Sequence, residues 1–152
     1  MYRYLLQTND QPLTTLEQEL DFIRAYFHLL QMRFGSSVAL NIDVAQQYAG
    51  CLLPPLTLQL LVENAVKHNV ILASRPLHIE ILTTSDGCLL VSNNLQKKTI
   101  RPELARLEST QVGLSNIRAK YQLLAQPEPI IQPGPTSFTV ILPLLQTALI
   151  NA

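Results

Sequence analysis

Charge is scarce in this chain. Only 14% of its 152 residues are Asp, Glu, Lys or Arg, against about 25% in ordinary soluble domains. The eleven basic residues are matched by eleven acidic ones, so there is no electrostatic case for nucleic acid or an anionic membrane surface. Cysteine is nearly absent: Cys51 and Cys88 alone make neither a disulfide framework nor a zinc site, and a reducing compartment is the default. Long apolar runs are missing too. One long uncharged stretch, residues 44–62, is broken by Gln46, Gln47, Pro54, Pro55 and Gln59, which excludes a membrane-spanning helix there. The opening Met1-Tyr2-Arg3-Tyr4 has no basic region leading into an apolar stretch and a cleavage site, so no secretory signal is expected. No internal repeat is visible. What is present, 47% hydrophobic residues, suits one domain with a sizeable core.

Periodicity supplies the elements. Leu16, Leu20, Ile23, Phe27 and Leu30 recur at helical spacing, predicting an amphipathic helix over residues 14–34. Thr14 and Glu17 form a capping-box pattern at its start, and Gly35 is its expected stop. Val38, Leu40, Ile42 and Val44 alternate as in a half-buried strand. After Pro54-Pro55 a second helix is expected, with Leu58, Leu61, Val62 and Ala65 facing the core. Leu77, Ile79 and Ile81 alternate with His78 and Glu80, and Ser85-Asp86-Gly87 turns the chain into the apolar run 88–91, predicting a hairpin. Residues 95–112 follow neither period and are expected to be a long connection. Leu114, Ile117, Tyr121 and Leu124 mark a third helix, and Phe138, Val140 and Leu142 a closing strand. Hairpin-paired strands with a few covering helices predict a two-layer α/β sandwich with a mixed, largely antiparallel sheet.

The second helix carries the chemistry. Asn64, Lys67 and His68 stand at i, i+3 and i+4, so their side chains share a face away from the apolar stripe. An amide oxygen is a hard ligand suited to magnesium, and an ammonium suits phosphate. A histidine beside it can donate to a phosphate oxygen. The same spacing also arises on any solvated helix face.

The full run Pro54-Pro55-Leu56-Thr57-Leu58-Gln59-Leu60-Leu61-Val62-Glu63-Asn64-Ala65-Val66-Lys67-His68-Asn69 strongly resembles the N box of sensor histidine kinases, specifically their LytS-like branch. Tyr2-Arg3-Tyr4-Leu5-Leu6 resembles the end of that branch's second dimerisation helix, and Phe138-Thr139-Val140-Ile141-Leu142-Pro143 its closing strand. The resemblance implies the Bergerat-type ATP-binding fold shared with gyrase, heat-shock chaperone and mismatch-repair ATPases. It implies domains of 1–12 (end of the dimerisation region), 13–146 (catalytic domain) and 147–152 (tail). It further implies Asn64 on a magnesium ion bridging the ATP phosphates, with Lys67 and His68 on phosphate oxygens. Glu63 would either polarise a metal-bound water or be a helix-surface charge, and the second fits helix geometry better.

Two boxes depart from the family pattern. Where the family's second hairpin strand ends in Asp-x-Gly-x-Gly, the matching stretch here is Val91-Ser92-Asn93-Asn94-Leu95; Asn93 takes the adenine-reading position without the charge, and Leu95 replaces the first glycine. Where it has Gly-x-Gly-Leu-x-Asn, this chain has Gln111-Val112-Gly113-Leu114-Ser115-Asn116. Gly113 is expected at the start of the third helix, where exposed amides suit a phosphate, with Asn116 one turn in. Between the boxes lies the family's ATP lid, carrying Lys97, Lys98, Arg101 and Arg106, to which no contact is assigned. No phosphoacceptor box like Asn-Pro-His-Phe-Leu-Phe-Asn occurs in the sequence, and His28, beside core Phe27, reads as structural. The resemblance thus implies a catalytic fragment that transfers the γ-phosphate of Mg-ATP to a histidine outside it. Its parent would be a homodimer anchored in the inner membrane, with this domain in the cytoplasm and a response regulator as partner. The competing reading is a degenerate kinase-like domain that binds proteins and little or no ATP. A gyrase-like ATPase is disfavoured because Leu60 stands where a water-activating carboxylate is expected.

Overall fold

This computed structural model of the chain describes residues 13–96 and 102–146, and of 102–112 the backbone course only. The first helix, α1 (Leu16–Phe34), buries the expected stripe of Leu16, Leu20, Ile23, Phe27 and Leu30. Its capping box is one residue later than expected. Thr15, in extended conformation, accepts from Gln18 N at 3.2 Å, and the Gln18 side chain takes the Thr15 amide. The shift has a tertiary cause: Thr14 and Thr15 form β1 and pair antiparallel with β3 (Leu52–Leu53), so the helix starts after both. At the other end Gly35 adopts φ 60° and returns its amide to Gln31 O, a conformation that costs glycine little.

Strand β2 (Val38–Asp43) runs parallel to β4 (Leu77–Thr83). Parallel neighbours need a crossover, and here it contains β3 and α2 (Thr57–His68). Strand β4 turns through residues 84–87, with Gly87 at φ 83°, into β5 (Cys88–Asn94). The expected hairpin is present. Beyond β5, helix α3 (Pro102–Leu123) is much longer than the sequence suggested: part of the span expected as an irregular connection is helical. Proline at its first position fits, since the first-turn amide has no helical partner. Strands β6 (Ile130–Pro133) and β7 (Ser137–Pro143) complete the chain.

The sheet order is β2-β4-β5-β7-β6, antiparallel except for β2–β4. Inward residues such as Leu77, Ile79, Ile81, Leu89, Val140 and Leu142 are buried together with the apolar stripes of the helices. The other face carries exposed Asn41, His78 and Glu80. The two-layer sandwich is thus as expected. Strand β6 was not legible, because its proline-rich surroundings mask it; as an edge strand it tolerates Pro133. Tyr121 of α3, fully buried, donates its hydroxyl to Pro143 O at 2.8 Å and locks the helix layer to β7.

Candidate functional site

Helix α2 begins without a cap of its own. Leu56 precedes it at φ 65°, in the left-handed region, and offers no side-chain acceptor. First-turn amides of a helix lack helical partners. Here Glu19 of α1 supplies them: its Oε2 accepts from Leu56 N and its Oε1 from Leu58 N, each at 3.2 Å. Burial pushes the Glu19 carboxyl above the ordinary glutamate range, while the Leu58, Leu56 and Thr57 amides and the Lys120 charge pull the other way. Lys120 of α3 donates to Pro55 O at 3.3 Å, so three helices meet at this point. Sequence reading missed Glu19, although a signal existed: a charged residue one turn after Leu16 falls on the apolar stripe.

Further along α2, the candidate residues separate by direction. Asn64 is half-buried and faces α3. A Cβ at Gly113 would lie 3.3 Å from Asn64 Nδ2 and 3.2 Å from Leu60 Cδ2, so the two helices approach as closely as the missing side chain permits. Gly113 does not begin a helix, as the sequence suggested; it lies inside α3, where its amide is directed at a carbonyl one turn back. What the missing side chain provides is therefore close approach of the two helices rather than an exposed amide. Asn116, one turn further, is exposed. Glu63 points elsewhere: it accepts from Gln59 Nε2 at 2.9 Å, and its charge, after burial, helps raise the pKa of Tyr26 on α1. Lys67 is exposed and His68 half-buried in the last turn, where basic groups also complement the helix dipole.

Asn93 stands on the facing layer. It alternates with buried Leu89 and Val91 on β5, is itself buried, and donates from Nδ2 to Asn94 O at 2.9 Å. The residue after it, Asn94, closes the strand end through His78 N and Pro76 O. Leu95, in the position of the family's first glycine, needs no left-handed backbone, and its amide pairs with Thr136 O at 2.9 Å. Gln96 follows with a set of bonds that the sequence did not announce. Its amide donates to Asn69 Oδ1 at 2.7 Å, and its side-chain nitrogen reaches the carbonyls of Val70, Arg75 and Pro76. Asn69 in turn donates to Ala65 O at 2.8 Å. The end of α2 is thereby stapled to the end of β5.

Of the remaining expectations, His78 is exposed as foreseen, whereas His28 is exposed on α1 instead of serving the core. Lys97, Lys98 and Arg101 lie outside the described residues, as do 1–12 and 147–152, and Arg106 lies where only the backbone is described. No helix among the described residues is long and apolar enough to cross a membrane, and no group of three or more His, Cys, Asp or Glu side chains there could hold a metal.

Comparison with known proteins bears on the fold. The histidine kinase AdeS of Acinetobacter baumannii superposes with a TM-score of 0.54 at 13% identity, over 95% of this chain and 76% of that one. The nucleotide-free catalytic domain of histidine kinase ThkA superposes with a TM-score of 0.50 at 12% identity, over 88% of this chain and 99% of that domain. Identities so low speak for the fold alone, and the fold is that of a histidine kinase catalytic domain. Residues 1–38 match the family described as histidine kinase. Over 67 residues, 44% of its length, the chain is 43% identical to the sensor histidine kinase/phosphatase LytS of Staphylococcus aureus strain MRSA252. Over that stretch the chain is similar to the LytS sensor histidine kinases, and the stretch spans 12% of that relative's length.

Proposed function

We propose that this domain binds Mg-ATP at the face shared by α2 and α3 and presents the γ-phosphate to a histidine supplied by another segment or chain. The observation that carries the reading is the apposition of Gly113 to Asn64, which brings two separate boxes of the sequence to one place. Asn64 sets its Nδ2 toward α3, and its Oδ1 would serve a cation as a hard oxygen ligand. One protein oxygen suits magnesium, which usually keeps waters and takes its other ligands from phosphate. When bound, the metal neutralises charge on the phosphate oxygens. Lys67 and His68 sit one turn on and would donate to those oxygens, and exposed Asn116 would reach them from α3. Asn93, buried on the facing strand, would accept from the adenine amino group through Oδ1. Glu63 takes no part, being held by Gln59. Catalysis in such a site is positioning and charge neutralisation. By the same reading the whole protein is a membrane-anchored homodimer whose kinase domain lies in the cytoplasm and serves a response regulator.

A second reading draws on the bonding around Leu95 and Gln96. Those bonds hold in place a backbone that the family keeps free with glycines, and they favour a kinase-like domain with weak nucleotide binding that acts through protein contacts. Isothermal titration with a non-hydrolysable ATP analogue separates the two. Magnesium-dependent heat that disappears in Asn64→Ala is the result expected for the kinase domain. A folded protein showing no heat and no thermal stabilisation at millimolar analogue supports the second reading.

A further inference from the structure

We propose that Glu19, on α1, is the positioning residue of the nucleotide face, an inference that rests on the reading above. Its carboxylate holds the start of α2, and through it the register of Asn64, Lys67 and His68. The helix that carries these residues has an unusual beginning. Pro54-Pro55 leads into Leu56 at φ 65°, a conformation that a large side chain adopts only under constraint. The amide of that strained residue is bonded to Glu19 Oε2, and the Leu58 amide to Oε1, across separations of 37 and 39 residues in sequence. A local N-cap would tie the helix only to its own preceding residue. This one ties it to another helix, and Glu19 is only 7% exposed, so water does not readily replace it.

The consequence for the site is rotational. Successive helical residues are about 100° apart, so a start displaced by one residue would turn Asn64 away from Gly113. Lys120 adds the third constraint. It donates to Pro55 O from the same helix that carries Gly113 and Asn116. Glu19 and Lys120 together therefore fix α2 against α3 near one end of their contact, while Asn64 and Gly113 meet further along it. Charged groups facing the carboxylate are few among the described residues: Lys120 on α3 is the one whose charge acts on it, and α2 presents only backbone amides.

Glu19→Gln is the informative variant, since it preserves shape and one acceptor oxygen while removing the charge and the second acceptor. Glu19→Asp keeps both oxygens on a shorter arm and serves if Glu19→Gln folds poorly. Two readouts are taken on the 152-residue chain. The first, without nucleotide, is the NMR signal of the Asn64 side-chain amide together with hydrogen exchange at Leu56 and Leu58. The second is the ratio of affinities for a non-hydrolysable ATP analogue with magnesium and with a chelator. The proposal expects faster exchange at both amides, a displaced Asn64 signal, and a magnesium-dependent affinity reduced about tenfold while affinity in chelator changes less than about twofold. Equal weakening of both affinities would mark general destabilisation and would overturn the proposal. Faster exchange with an unmoved Asn64 signal would make Glu19 a cap and nothing more, and would overturn the proposal. If the parent chain binds no analogue at all, the nucleotide reading fails, and the Asn64 signal still decides the role of Glu19.

Discussion

Substituting Gly113 by alanine separates packing from function. The residue lies inside α3, where glycine costs about 0.8–1.0 kcal/mol relative to alanine. A methyl group would gain that amount. It would also stand 3.2 and 3.4 Å from the two Leu60 Cδ atoms and 3.3 Å from Asn64 Nδ2, a few tenths of an ångström too close. Both neighbours are side-chain ends that can shift, so the overpacking cost falls near the low end of the usual range, about 1 kcal/mol. Gain and cost nearly cancel, and urea unfolding should place Gly113→Ala within about 1 kcal/mol of the parent. The Asn64 amide, however, must move. If its oxygen holds the metal, titration with magnesium and the ATP analogue should show about a tenfold weaker affinity, equivalent to about 1.4 kcal/mol. Leu60→Ala added to Gly113→Ala removes the Leu60 contacts and should restore part of that loss. Parent-like affinity at parent-like stability would refute the argument that Gly113 acts through Asn64. A loss of several kcal/mol would refute the claim that its neighbours can give.

Other expectations follow from particular bonds. Tyr121→Phe removes the hydroxyl bonded to Pro143 O and should cost about 1–2 kcal/mol in urea unfolding, and an unchanged midpoint would show that the bond contributes nothing. Asn69→Ala, which leaves the Gln96 amide without its acceptor, should cost about 2–3 kcal/mol and speed exchange at Gln96 N; protection equal to the parent's would contradict the staple. Burial raises the Glu19 carboxyl, so the folded state binds that proton more tightly than the unfolded chain does. The stability tied to it is fully present below the unfolded glutamate value of about 4.3 and is lost as pH rises through the folded value. Unfolding at stepped pH should therefore show the parent losing ground to Glu19→Gln from about pH 4 toward neutrality, and a difference that is flat or grows the other way would refute the sign.

The parts of this fold that could be read from sequence are those whose cause is local. The stripe of α1 repeats at helical spacing, β4 and β5 alternate on either side of a Ser-Asp-Gly turn, and α2 follows its proline pair. What escaped has causes elsewhere in the chain. The capping box of α1 moved because Thr14 and Thr15 pair with β3. Strand β6 exists because β7 lies beside it, in spite of its prolines. Gly113 reads as a helix start only while the preceding stretch is taken as irregular, and helix α3 beginning at Pro102 gives it a packing role instead. The candidate site divides in the same way. Asn64, Lys67 and His68 were legible because one helix spaces them, whereas the Glu19 cap and the Asn69–Gln96 staple join residues far apart in sequence and leave no periodic trace.

The proposed site puts phosphates and metal between α2 and α3. Manganese in place of magnesium broadens NMR signals of nuclei near it, so titrating the isotope-labelled chain with the Mn-bound ATP analogue locates the metal directly. Selective broadening is expected at Asn64, His68, Gly113 and Asn116, absent in Asn64→Ala, with the exposed outer-face residues His78 and Glu80 unaffected. Broadening centred on that outer face, or none at saturating analogue in a folded protein, would contradict it.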